Sequence, residues 1–152
     1  MDTPRGVAFL LSQLGAHGAR RFAERLRPLD LEPKHVGLLR MIAAADGPSQ
    51  QELGERMGVI PSRMVSFVDD LQERGLVERR RNPKDRRAYA LHLTEKGGKA
   101  LRQAMVTSVE HDEEICAPLS QDERDVLARL LERLSGAHGL LPGVHPGYRH
   151  LK

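Results

Sequence analysis

The chain has 152 residues, a net charge of only +3, 30% charged and 39% hydrophobic residues, so it can form one unit with a real core. No run of about 18 apolar residues could span a membrane, the N-terminus lacks a signal peptide's apolar core, and a lone cysteine excludes an internal disulfide; a cytoplasmic protein is expected. Strong positive potential must therefore be local, which suits a nucleic-acid surface better than a bulk acidic partner.

Thr3 to Arg27 reads as a helix. Val7, Leu10, Leu11, Leu14, Phe22 and Leu26 keep helical spacing, with Arg20, Arg21 and Arg25 interleaved. Gly15 and Gly18 weaken its middle, each by about 1 kcal/mol relative to alanine. Arg27-Pro28-Leu29-Asp30 connects it to a helix that opens at Pro33 and carries Val36, Leu38, Leu39, Met41 and Ile42. Asp46-Gly47-Pro48 then turns the chain.

Ser49 and Glu52 have the spacing of a capping box, and Leu53 and Met57 give the short helix that follows one apolar face. Gly58 supplies a sharp turn, and Pro61 suits a first helical position. The next helix, Pro61 to Arg74, buries Met64, Phe67, Val68 and Leu71. Its other face carries Ser62, Arg63, Val65, Ser66, Asp69 and Asp70, and Gly75 closes it. This is a helix-turn-helix pattern, and such a motif meets base edges near the N-terminus of its second helix.

Leu76 to Arg81 and Tyr89 to Leu93 have the make-up of two strands around a charged turn, Asn82 to Arg87. Arg79, Arg80, Arg81, Lys84, Arg86 and Arg87 gather positive charge there. Thr94 is placed to cap a long helix through Ile115, with Leu101, Met105, Val109 and Ile115 as its stripe. Pro118 ends that helix. Ser120 and Glu123 form a further capping box before Val126, Leu127, Leu130, Leu131 and Leu134. The leucine-rich ends expose more apolar surface than one protomer easily covers, so a homodimer is expected.

The chain resembles the MarR family of bacterial transcription regulators. The likeness lies in the order of elements and in Asp85-Arg86-Arg87 followed by Leu91-His92-Leu93-Thr94-Glu95-Lys96-Gly97, and runs from about Val7 to Leu134. It implies a mainly α fold with a small β wing (α+β), a winged helix-turn-helix whose N- and C-terminal helices form a dimerisation lobe. The single domain, 1–152, would divide into a DNA-binding lobe at 30–94, dimerisation helices at 1–29 and 95–137, and a flexible tail at 138–152.

The resemblance further implies a sequence-specific homodimer on a pseudo-palindromic double-stranded operator, a repressor released by a small aromatic or anionic molecule. The helix that starts at Pro61 would lie in a major groove, with Ser62, Arg63, Val65 and Ser66 reading bases and Arg63 able to take a guanine bidentately. Arg87 would enter the adjacent minor groove, oriented by a charge-assisted pair with Asp85, while Ser49, Gln50, Lys84 and Arg86 hold phosphates. An effector cleft between the lobes would be lined by His17, Arg21, His35, Met41 and Phe67. Departures from the family pattern are Glu32 for a capping Thr, Ile60 for a capping Asp, Ser66 for a longer polar residue, and Asp70 for a basic one.

Other chemistries have weaker support. Glu110, His111 and Glu114 on neighbouring turns, with His17 or His35, could hold zinc and make a zinc-responsive regulator. No close two-histidine spacing supports that, and neither a metal nor another cofactor is expected. Cys116 follows Asp112, Glu113 and Glu114, which oppose a thiolate, so a quiet thiol is expected. No phosphate loop or nucleophile motif points to an enzyme. A ligand-independent architectural DNA-binding protein is the remaining alternative.

Overall fold

The computed structural model describes residues 6–150, with the His150 side chain left aside. The order is α1 (Val7–Leu26), a 3₁₀ turn (Arg27–Leu29), α2 (Pro33–Ala44), α3 (Gln50–Met57), α4 (Pro61–Glu73), β1 (Val77–Arg81), β2 (Tyr89–Leu93), α5 (Glu95–Ile115), α6 (Gln121–Ala137) and a last 3₁₀ turn (Pro146–His150). The fold is mainly helical with one two-stranded sheet, antiparallel, in which Val77 faces Leu93 and Arg79 faces Leu91. The expected helix start at Thr3 lies outside the described residues.

The core sits in the middle third of the chain. Leu38, Leu39, Leu53, Met57, Met64, Val68, Leu71, Val77 and Leu91 are fully buried where α2, α3, α4 and the base of the hairpin meet. Each such side chain contributes about 1.5–3 kcal/mol relative to exposure, so this lobe has its own core within one protomer. Local chemistry sets its corners. Ser49 Oγ accepts from the Glu52 N–H at 3.1 Å while Glu52 accepts from the Ser49 N–H at 2.7 Å, the reciprocal cap that the spacing predicts. Gly58 takes a left-handed φ of 66° in the turn to α4, a conformation that costs a residue with a Cβ. Ile60 caps nothing with its side chain, and α4 starts on the fixed φ of Pro61 instead.

The joint between hairpin and α5 explains the motif that follows the wing. Thr94 Oγ1 accepts from the Gly97 N–H at 3.0 Å and donates to the Gly75 carbonyl at 2.6 Å, and Lys96 donates to the Arg74 carbonyl at 2.7 Å. Any Cβ on Gly97 would collide with the Leu76 carbonyl, so the two backbones touch there. One threonine thus caps α5 and ties it to the end of α4.

The outer helices differ. α1 packs along α5, and Arg21 and Arg25 pair with Glu114 across that contact. Beyond it the apolar side chains are bare: Val7 is 66% exposed, Val109 58% and Leu130 51%. α6 has no buried residue and little packing on any other element.

The tail is described as far as residue 150. Its described part folds back over the helix-turn-helix. Tyr148 packs against the core, donates to the Pro33 carbonyl at 3.2 Å, and occupies the space where Gly37 has no Cβ. Glycine inside a helix costs roughly 0.5–1 kcal/mol relative to alanine, and the tyrosine ring is what requires it here.

Candidate nucleic-acid interface

α4 presents two faces. Met64, Phe67, Val68 and Leu71 are buried, while Pro61, Ser62, Val65, Ser66 and Asp69 are exposed and Arg63 is half-buried. The Arg63 guanidinium has no hydrogen-bond or ion-pair partner among the described residues, and neither serine side chain is engaged beyond its own helix. The side chains of the N-terminal turn of α4 are therefore available to a ligand, while the Arg63 and Met64 N–H groups donate to the Ile60 carbonyl at 3.1 and 3.0 Å.

The hairpin stands beside it. At its tip Asp85 Oδ1 accepts from the Arg87 backbone N–H at 2.9 Å, and Asn82 Oδ1 accepts from the Lys84 N–H at 2.9 Å. The expected pairing of Asp85 with the Arg87 guanidinium is absent among the described residues. A carboxylate two residues back bonds the backbone more easily than a long side chain, so Asp85 shapes the turn and leaves the guanidinium free. Arg81, Lys84, Arg86 and Arg87 are exposed and unpaired among the described residues, which concentrates positive charge at the tip.

Two of the hairpin's arginines are spent inside the protein. Arg79 donates to Gln50 Oε1 at 2.7 Å and Asp69 Oδ1 at 2.5 Å, and also to Gln72, tying β1 to α3 and α4. Arg80 pairs with Glu78. Gln50, expected on a phosphate, thus has its carbonyl oxygen occupied by Arg79. In the sequence Arg79 is indistinguishable from the wing's free charge, because a strand arginine looks alike whether it faces solvent or a neighbouring helix.

The five residues expected to line an effector cleft have different surroundings. Met41 and Phe67 belong to the core and His17 is exposed on α1. Arg21 is held by Glu24 and Glu114, each at 2.8 Å. His35 is 1% exposed with both ring nitrogens in use: Nδ1 accepts from the Glu32 N–H at 3.0 Å, so Nε2 carries the proton and donates to Asp70 Oδ2 at 2.7 Å. Burial lowers the His35 pKa, against the opposing pull of Asp70. Burial raises the Asp70 carboxyl, but hydrogen bonds from Arg74 and His35 carry it below its usual value. Arg74 also donates to the Asp30 carbonyl at 2.8 Å, so this network pins the α1–α2 connector to the end of α4.

A cleft of about 350 Å³ lies beside that network, lined by Ala23, Arg27, Asp30, Leu31, Glu32 and Arg74. The Glu110, His111 and Glu114 group faces α1, where His111 stacks on Phe22 at 5.3 Å and Arg25 takes Glu114. Among the described residues no three potential metal ligands come together. Cys116 is a half-buried free thiol at the end of α5, and no described helix is long and apolar enough to cross a membrane.

A helix-turn-helix with a free polar N-terminal turn and a basic hairpin at its side defines a winged-helix nucleic-acid-binding protein. The sequence profile of the MarR family matches residues 29–88. A Thauera aromatica protein named as a candidate transcriptional regulator of the hcr operon is 38% identical over 116 residues, 76% of this chain and 70% of the relative. The repressor CouR bound to a 23-mer DNA duplex superposes with a TM-score of 0.77 at 27% identity, covering 89% of this chain and 99% of that one. The reduced form of Escherichia coli MarR gives 0.77 at 25% identity over 88% and 98%. The chain belongs to the MarR family and is a winged-helix transcriptional regulator.

Proposed function

We propose that the protein works as a homodimer on a pseudo-palindromic operator, as a repressor whose DNA affinity falls when an aromatic or anionic small molecule binds. The observation that carries the DNA contact is the pairing of a free Arg63 on an exposed α4 turn with four unpaired cations on the wing. Ser62, Arg63, Val65 and Ser66 read bases from the major groove, Arg87 enters the minor groove, and Lys84, Arg86 and Ser49 hold phosphates. Residues 30–94 act as the reading lobe, and 1–29 with 95–137 as the dimerisation helices. The bare apolar faces of α1, α5 and α6 support that division, because a second copy can cover them. Such a regulator acts where the chromosome is, in the cytoplasm, and has no catalytic step.

The cleft between Arg27, Leu31 and Arg74 is the effector site in this reading. Arg27 has no acidic partner among the described residues, and the Asp70–Arg74–Asp30 network at the rim links α4 to the α1–α2 connector. An anion drawn to Arg27 and Arg74 competes with Asp30 and Asp70 for Arg74, and so bears on the seating of the reading helix. A mobility-shift screen of aromatic acids against the DNA upstream of the gene tests this. At least one compound is expected to lower affinity while the dimer stays intact; a broad panel without effect favours the ligand-independent architectural alternative.

A further inference from the structure

The tail meets the reading lobe at three points, two on α2 and one at the turn into α4, and at each a glycine makes room. Tyr148 fills the space above Gly37 on α2, Arg40 donates to the Gly143 carbonyl at 3.3 Å and approaches within 2.7 Å of where a Cβ on Gly143 would stand, and the Arg149 side chain lies over Gly58. Two of these glycines, Gly37 and Gly58, belong to the reading lobe itself. Their open space and the phenol's hydrogen bond to Pro33 make a seat for this particular segment.

The seat brings a cation to a chosen place. Gly58 is in the turn that leads into α4, two residues before exposed Ile60, Pro61 and Ser62. Arg149 is exposed, and neither it nor Arg56 in the last turn of α3 has an ion-pair partner among the described residues. With Arg63, these gather positive charge around the turn that opens the reading helix. We propose that the C-terminal segment is a strap that positions Arg149 as an additional DNA-phosphate contact, so that each reading head grips the backbone at the turn into α4 as well as through the wing. Tyr148 is the anchor and acts only through that placement. The inference rests on the DNA-binding reading above and adds a contact to it.

The test is the salt dependence of binding to a mixed-sequence duplex of about 30 base pairs, long enough for two half-sites and bound through its phosphates whatever the operator. Loss of one phosphate contact lowers the slope of log K against log salt by about 0.9, so Arg149→Ala is expected to lower it by that amount for each protomer engaged. Tyr148→Ala is expected to do the same by releasing the strap, whereas Arg149→Lys keeps the slope. Melting temperature and dimer state of Arg149→Ala should match the parent, which separates a contact from a structural role. A parent that binds with a slope Arg149→Ala leaves unchanged overturns the contact alone. A slope that falls in Arg149→Ala but not in Tyr148→Ala overturns the strap. A parent without affinity for any duplex overturns the DNA-binding reading and this inference with it.

Discussion

The reading lobe and the outer helices solve the same problem in opposite ways. Between Leu31 and Leu91 the large apolar side chains find partners within one chain and, apart from Ile60, Val65 and Tyr89, are below a tenth exposed. In α6 and the outward faces of α1 and α5 they find none: Leu130 and Val109 stand half exposed or more, on helices with ordinary caps and regular geometry. Good local helix signals therefore say nothing about where a helix buries its stripe. One region is finished by its own sequence, and the other needs a second molecule.

The most forceful way to break that contrast is to charge the unfinished surface. Leu130→Glu is expected to weaken self-association at least 100-fold, about 3 kcal/mol, because a carboxylate would be buried in an apolar contact. Sedimentation velocity reads the outcome, and urea unfolding of the reading lobe should change little. A variant that remains dimeric at the same concentration would place the interface elsewhere.

A change inside the finished lobe should do the reverse. Asp70→Ala leaves the buried His35 Nε2–H without an acceptor and releases Arg74, and is expected to cost about 1–3 kcal/mol in urea melts with the dimer retained. His35 adds a pH signature. Its folded pKa lies below the usual value, so the unfolded chain takes up a proton first as pH falls. Stability is then complete above about pH 6.5 and declines below it until the folded pKa is passed. His35→Gln should flatten that decline, while unchanged acid sensitivity would assign it to other groups.

Most of the reading lobe was legible in the sequence because its signals are local. Ser49 and Glu52, Gly58 with Pro61, and the strand-forming run Tyr89 to Leu93 each state their own conformation, and the observed caps and strands follow them. What was not legible depends on distant partners. Arg79 reads as wing charge until Asp69, Gln50 and Gln72 are brought to it; His35 reads as a ligand candidate until Asp70 arrives from 35 residues away; Tyr148 reads as tail until α2 offers Gly37. A polar residue's role is decided by what the fold sets opposite it.

Smaller effects sharpen the division of labour within the interface. Arg63→Ala is expected to flatten base preference at one symmetric pair of operator positions by about 1–3 kcal/mol, leaving the others intact. A uniform loss across single-base-pair variants would assign Arg63 to the backbone. Arg87→Ala should lower the salt slope by roughly one unit per wing without altering the dimer, since its guanidinium is free of Asp85. An unchanged slope would remove the wing from the DNA.

The most direct measurement is a selection of bound duplexes from a random-sequence pool, with the mass of the complex determined on the winning sequence. Two reading lobes joined by helices that neither chain can bury alone should select a two-fold symmetric pair of half-sites, centred about 34 Å or one helical turn apart, with two chains on each duplex. A single asymmetric site occupied by one chain, or a pool with no preferred sequence, would contradict the account.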